Sequence, residues 1–252
     1  MGAVYPDLRG RSVLVTGGGS GIGECIVRDF ASQGARVGFI DVNDAAALRV
    51  VEAVRAEGGD IHFEKADVRD IAALQQAIAA IRKVNGPITI LVNNAAHDDR
   101  HATETVTPEY FDDRIAVNLK HQFFASQAVL PDMKAASGGS IICMGSTSWM
   151  IGLGGMAVYT ACKSAILGLT RSLARDYGPF DIRVNSIAPG WIMTDRQLEL
   201  WMTPENEILR REHQCIKRRL VPKDISRFVM FLSSEEASAC TNQSYVVDGG
   251  WT

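Results

Sequence analysis

Cys-x-x-Cys spacing is absent from this chain, and its five cysteines are an odd number. Neither a disulfide framework nor a zinc site is signalled, and no His/Asp spacing resembles a metal site, so no metal is expected. Of Cys25, Cys143, Cys162, Cys215 and Cys240, three lie in apolar periodic or strand-like runs that suit small core residues. Long basic runs are missing and the net charge is -3, which argues against a nucleic-acid surface. No uninterrupted apolar stretch is long enough to span a bilayer, and the N-terminus shows no charged-then-apolar export signal. A cytoplasmic protein without a membrane or nucleic-acid partner is the expectation.

What the chain does have is apolar content, 46% over 252 residues, enough for a full α/β core. Ser12-Val13-Leu14-Val15 reads as a buried strand. It runs into Thr16-Gly17-Gly18-Gly19-Ser20-Gly21-Ile22-Gly23, and Glu24 to Gln33 reads as a helix. Strand, glycine turn and helix form the context in which backbone can approach a pyrophosphate and the helix N-terminus can bind it. A second strand, Ala35 to Ile40, ends at Asp41. An acid there can accept from both adenosine ribose hydroxyls and would repel a 2′-phosphate. With no arginine directly after it and Ser20 leaving the turn without a basic group, NAD is favoured over NADP, which could serve less efficiently. Capping of the next helix is the plainer role for Asp41, although Asn43 and Asp44 could cap as well.

The alternation continues through helix Ala45 to Glu57, strand Ile61 to Ala66, helix Ile71 to Val84 and strand Ile88 to Val92. Such a rhythm, with strands that are continuous apolar runs, predicts a parallel sheet covered on both faces. Ligands then lie beyond the carboxyl ends of the strands. That rule singles out Asn93-Asn94-Ala95-Ala96, Gly145-Ser146-Thr147-Ser148 and Ala188-Pro189-Gly190. Thr107-Pro108-Glu109 opens a long helix containing Asn118, and Pro131 suggests that it kinks or ends near Leu130. The chain closes with helix Asp224 to Leu232 and strand Ser244 to Val247.

Met156 to Leu173 has helical spacing of apolar residues and no proline. Within it, Tyr159 and Lys163 are four apart and share one helix face. A phenol loses its proton near pH 10, and a fixed ammonium beside it lowers that value. The pair is a candidate general base for an alcohol, though such pairs also occur as plain surface neighbours.

Taken together, Thr16 to Gly23, Asp67-Val68, Asn93-Asn94-Ala95, Asn118, Ser146, Tyr159-x-x-x-Lys163, Pro189-Gly190 and Asp248-Gly249-Gly250 resemble the ordered motif set of the short-chain dehydrogenase/reductase superfamily across essentially the whole chain. The resemblance implies a single α/β Rossmann domain over 1–252, a doubly wound parallel sheet of about seven strands with helices on both faces. It implies hydride transfer with a nicotinamide cofactor. Tyr159 would be the acid/base, and Lys163 would lower its pKa and hold the nicotinamide ribose. Ser146 would bind the substrate oxygen, and Asn118 would organise a proton relay to Lys163. Asp67 and Val68 would flank the adenine, Asn94, Ala95 and Ala96 the cofactor channel, and Ile192 and Thr194 the carboxamide. Ala96 departs from the usual glycine. Residues 191–219 would form a lid, and the assembly would be a homotetramer.

Within the superfamily, Asn93 to His101, Gly145 to Trp149 and Gln214 to Lys217 are similar to bacterial aldose 1-dehydrogenases of the xylose, arabinose, galactose and fucose type. A sugar needs several placed donors and acceptors and an aromatic face. His97, Asp98, Arg100, His101, Ser148, Trp149, Gln197 and Trp201 are the candidates, with Ser146 and Tyr159; a solvated loop at 97–101 is the simpler reading of part of this set. The alternatives are a reductase of 3-oxoacyl thioesters, which shares the cofactor motifs, and a catalytically silent dinucleotide-binding protein.

Overall fold

The computed structural model describes residues 2–252. Seven parallel strands form one sheet in the order β3-β2-β1-β4-β5-β6-β7. They are β1 (Ser12–Thr16), β2 (Arg36–Asp41), β3 (Asp60–Lys65), β4 (Ile90–Asn93), β5 (Gly139–Met144), β6 (Ile182–Pro189) and β7 (Ser244–Val247). The order reverses between β1 and β4, so a crevice opens beyond their carboxyl ends, where α/β sheets bind ligands.

Alternation along each strand builds two cores. Val13, Val15, Val37 and Phe39 face one side, against helices α1 (Gly21–Ser32), α2 (Asp44–Ala56) and α9 (Pro222–Ser233). Leu14, Ile40 and Leu91 face the other, against α3 (Ile71–Asn85), α5 (His121–Ala135) and α6 (Ala157–Tyr177). All five residues of β1 are buried, and each fully buried aliphatic side chain contributes about 1.5–3 kcal/mol.

The long helix expected after Thr107 is α4 (Pro108–Ile115), then a π-helical turn (Ala116–Lys120), then α5. Thr107 caps it, accepting from Tyr110 N. The wider turn holds Asn118 and is of a kind found often at functional sites. Pro131 does not end the helix, which runs on to Ala135. Tertiary contacts override the proline there: Met133 is fully buried, and Asp132 accepts from Arg82 Nε at 2.6 Å and Ile88 N at 3.1 Å. After β6, residues 191–219 break the strand–helix rhythm with α7 (Asp195–Leu200) and α8 (Pro204–His213). Arg210, 1% exposed, holds their return by donating to the carbonyls of Lys217 and Arg218.

The turn between β1 and α1 is built around two glycines. Gly17 has φ +69°, where a side chain is strained. At Gly23 an added Cβ would lie 1.8 Å from the Gly17 carbonyl oxygen and 2.6 Å from Asn94 Nδ2. Gly23→Ala must therefore move the turn backbone. It is expected to lower the free energy of unfolding by about 1–3 kcal/mol, read as an earlier urea midpoint; an unchanged midpoint would contradict this packing.

Candidate active site

A single cavity of about 890 Å³ runs across the carboxyl ends of the strands. Every residue expected on the cofactor side lines it, from Gly17, Ser20, Gly21, Ile22 and Gly23 through Asp41, Asp67, Val68, Asn94, Ala95 and Ala96 to Pro189, Gly190, Ile192 and Thr194. The turn fits a dinucleotide. Ser20 makes no side-chain capping bond, so the first-turn amides of α1 remain available to a phosphate. Asn94 Nδ2 donates to the carbonyls of Thr16 and Gly17 and holds the turn open against β4. Asp41 is not the cap of α2; Asn43 is, accepting from Ala46 N at 3.1 Å. The Asp41 oxygens each take one amide, from Gly19 at 2.8 Å and Asn43 at 2.9 Å, which leaves lone pairs on a carboxylate at the cavity wall.

Tyr159, Lys163 and Ser146 line the same cavity. Tyr159 is half-buried and Lys163 is 2% exposed. Lys163 Nζ lies 5.5 Å from the Tyr159 ring centroid and donates to the Met144 carbonyl at 2.8 Å. The expected electrostatics need correction. Burial pushes the Tyr159 phenol above its ordinary value, Asp98 adds to the rise, and the Ser146 hydroxyl and Arg100 oppose it. Lys163 is itself brought down to about 8 by burial. Desolvation disfavours both charged forms, and in the free protein it outweighs the attraction expected from spacing.

Asn118 is fully buried, but its side chain does not reach Lys163. Oδ1 accepts from His97 N at 2.9 Å, and Nδ2 donates to the carbonyls of His97 at 3.1 Å and Arg114 at 3.0 Å. Its link to the lysine runs through Gln122, which donates to the Asn118 carbonyl at 3.3 Å and to that of Met144 at 3.5 Å.

On the substrate side the structure brings together His97, Asp98, Arg100, Ser148, Gln197 and Trp201. Asp98 accepts from Arg196 Nε at 3.0 Å and Gln197 Nε2 at 2.6 Å, and Arg100 stacks 4.8 Å from the Trp201 ring centroid. Two expected contacts lie elsewhere. His101 is outside the lining, because its ring is spent on Tyr110 Oη at 3.0 Å and on Val158 N, which donates to it at 3.3 Å. Trp149 lines a separate shallow cavity with Ala157 and Thr160. Trp191, Trp251 and Arg114 also line the main cavity and were not among the expected residues. Trp191 directly follows Pro189-Gly190, and Arg114 precedes Asn118 by one helical repeat, so those two had a signal in the spacing. Trp251, with its ring centroid 6.2 Å from that of Trp191, had none beyond its rarity.

A family model described as enoyl-(acyl carrier protein) reductase matches residues 17–252. A solved structure, a short-chain dehydrogenase/reductase from Serratia marcescens BCRC 10948, superposes with a TM-score of 0.91 at 37% identity, covering 97% of this chain and 99% of that one. The chain belongs to the short-chain dehydrogenase/reductase family. Among curated relatives of this family, a Rhizobium meliloti protein named probable galactose dehydrogenase GalD is 46% identical over 98% of this chain and 96% of its own. A D-xylose 1-dehydrogenase of Caulobacter vibrioides is 45% identical over 99% and 98%. Dehydrogenases of the family use a nicotinamide dinucleotide, which the glycine turn and Asp41 accommodate.

The buried lysine gives this site a stability signature. Unfolded, Lys163 stays protonated up to its ordinary 10.5; folded, it releases its proton near 8. The unfolded state therefore binds more protons across that window, and folded stability rises with pH through it. The difference is worth about 3 kcal/mol against the fold at neutral pH. Lys163→Met also removes the bond to the Met144 carbonyl, so the test is the slope: the melting temperature of the variant relative to wild type is expected to fall as pH rises from 7 to 10.5, and a difference that does not change with pH would contradict the shift.

Proposed function

We propose that the protein oxidises a cyclic aldose at C1 to the aldonolactone, with NAD as the oxidant. The observation that carries this reading is the lining of the cavity that holds Tyr159 and Ser146: His97, Asp98, Arg100, Ser148 and Gln197 bring hydrogen-bonding side chains to it from three separate segments. A ligand rich in hydroxyls needs several placed donors and acceptors of this kind. Three of the chain's four tryptophans, Trp191, Trp201 and Trp251, line the same cavity and supply it with aromatic surface. The names of the two sugar dehydrogenases that share nearly half of this sequence support the same substrate class.

In this reading Tyr159, as phenolate, takes the proton of the C1 hydroxyl, and Ser146 hydrogen-bonds the oxygen as it becomes a carbonyl. When bound, the nicotinamide supplies the acceptor for the C1 hydride. Lys163, anchored on Met144, holds the ribose beside it. Asp41 accepts from the adenosine ribose hydroxyls, and its charge disfavours a 2′-phosphate. Residues 191–219 act as a lid, tied to the segment after β4 through Asp98 and Gln197.

Four outcomes test the reading. Absorbance of the reduced cofactor should appear with NAD and at least one pentose or hexose, and a panel of sugars without any turnover would defeat it. Tyr159→Phe should retain less than about 1% of the wild-type rate. Because the base must lose its proton and burial holds the free phenol above its ordinary value, kcat/KM should climb with pH from 7 to 10; a flat or falling profile contradicts the assignment of Tyr159. Asp41→Ala should raise the dissociation constant for NAD more than that for NADP, and equal losses would reject the ribose contact.

A further inference from the structure

A ladder of charged groups runs from one end of the cavity to the segment after β4. Arg69 Nε lies 2.9 Å from both carboxylate oxygens of Asp67, and Arg69 Nη1 reaches Asp113 Oδ1 at 2.6 Å. The second oxygen of Asp113 accepts from Arg114 Nε at 3.0 Å. Arg114 then places Nη1 2.7 Å from Nδ1 of His97. The Arg114 side chain is only 12% exposed and is stacked 5.3 Å from the Tyr110 ring centroid, so it has little freedom to turn away. The His97 backbone is clamped at both its N–H and its carbonyl by Asn118.

This geometry fixes the protons of the imidazole. A guanidinium has five N–H donors, no acceptor, and keeps its charge. The ring nitrogen that faces it must be the acceptor, so Nδ1 carries no proton and the single ring proton sits on Nε2. An imidazolium would set N–H against N–H. Burial, with Arg114 and Arg196, also holds His97 below the ordinary histidine value, against the weaker pull of Asp99 and Asp98. His97 lines the cavity, and among the described residues no protein group accepts from Nε2.

We infer that His97 is a specificity-determining donor, a neutral Nε2–H that hydrogen-bonds one sugar hydroxyl as an acceptor, and that Arg114, braced by Asp113, is the positioning residue that sets its tautomer. The identity of the bound group rests on the proposed sugar oxidation; the tautomer does not. Held this way, the ring can give a hydrogen bond and cannot take one. It therefore discriminates by the presence of an acceptor oxygen rather than by charge.

The test joins spectra with kinetics. In ¹⁵N-histidine-labelled protein, with His97 assigned by comparison with His97→Phe, Nε2 should be protonated and Nδ1 bare at pH 7. Arg114→Met should shift the ring toward a mixture of tautomers, and Arg114→Lys, which keeps a donor, should restore the Nε2–H form. A wild-type ring protonated at Nδ1, or an imidazolium at pH 7, overturns the proposal. In the kinetic arm, removal of one particular hydroxyl from the aldose should cost the wild type roughly five- to twentyfold in kcat/KM, mainly through KM. The same removal should cost His97→Phe nothing further. If every monodeoxy sugar loses as much in His97→Phe as in the wild type, the donor role is wrong. Absence of any sugar turnover would defeat the proposed function instead, and the spectra would still decide the tautomer.

Discussion

Lys163 Nζ donates to the Met144 carbonyl at 2.8 Å, and that bond joins α6 to the carboxyl end of β5 almost out of reach of water. Much of the site follows from it. It ties α6, whose Ile166 and Leu173 are buried against the sheet, to the strand end one helical turn after Tyr159. It puts a cation where burial disfavours one, so the lysine titrates near 8 rather than at its ordinary value. Around it are groups that cannot share that charge. His121, fully buried on α5, is driven down to about 3 by burial and by Lys163 itself, so it remains neutral. A functional site that costs the fold free energy is a common arrangement, and Lys163 bears part of that cost here.

A parallel sheet made this arrangement readable in advance. Most cofactor-side residues come within a few positions of a strand's carboxyl end, so their place in space follows from their place in the chain. Gly17, Asp41, Asn94, Ser146 and Pro189 are all legible for that reason. The parallel sheet covered on both faces was legible too, because strands such as β1 and β4 appear as apolar runs, while the count of about seven was implied by the family resemblance. Strand and helix ends differed from expectation by a few residues, as with β4, which starts at Ile90 rather than Ile88.

What the sequence did not reveal depends on contacts between distant segments. Pro131 is carried inside α5 by an arginine from α3 and the backbone at Ile88. His101 reads as a sugar contact by its neighbours, yet its two ring nitrogens are taken by Tyr110 and Val158. The sign of the Tyr159 shift could not come from the spacing of Tyr and Lys, since burial decides it. Trp251 enters the cavity beside Trp191, a contact between distant segments that its place in the chain does not announce. The substrate half is harder to read than the cofactor half because loops and the 191–219 segment build it, and their geometry follows from tertiary contacts.

If the carbon that loses hydride is C1 of a sugar ring held in this cavity, an aldose deuterated at C1, drawn from those that the protein turns over, should leave its deuterium on the nicotinamide, with the aldonolactone or its hydrolysed acid as the other product. Recovery of the deuterium in the sugar product, with an unlabelled reduced cofactor, would contradict it.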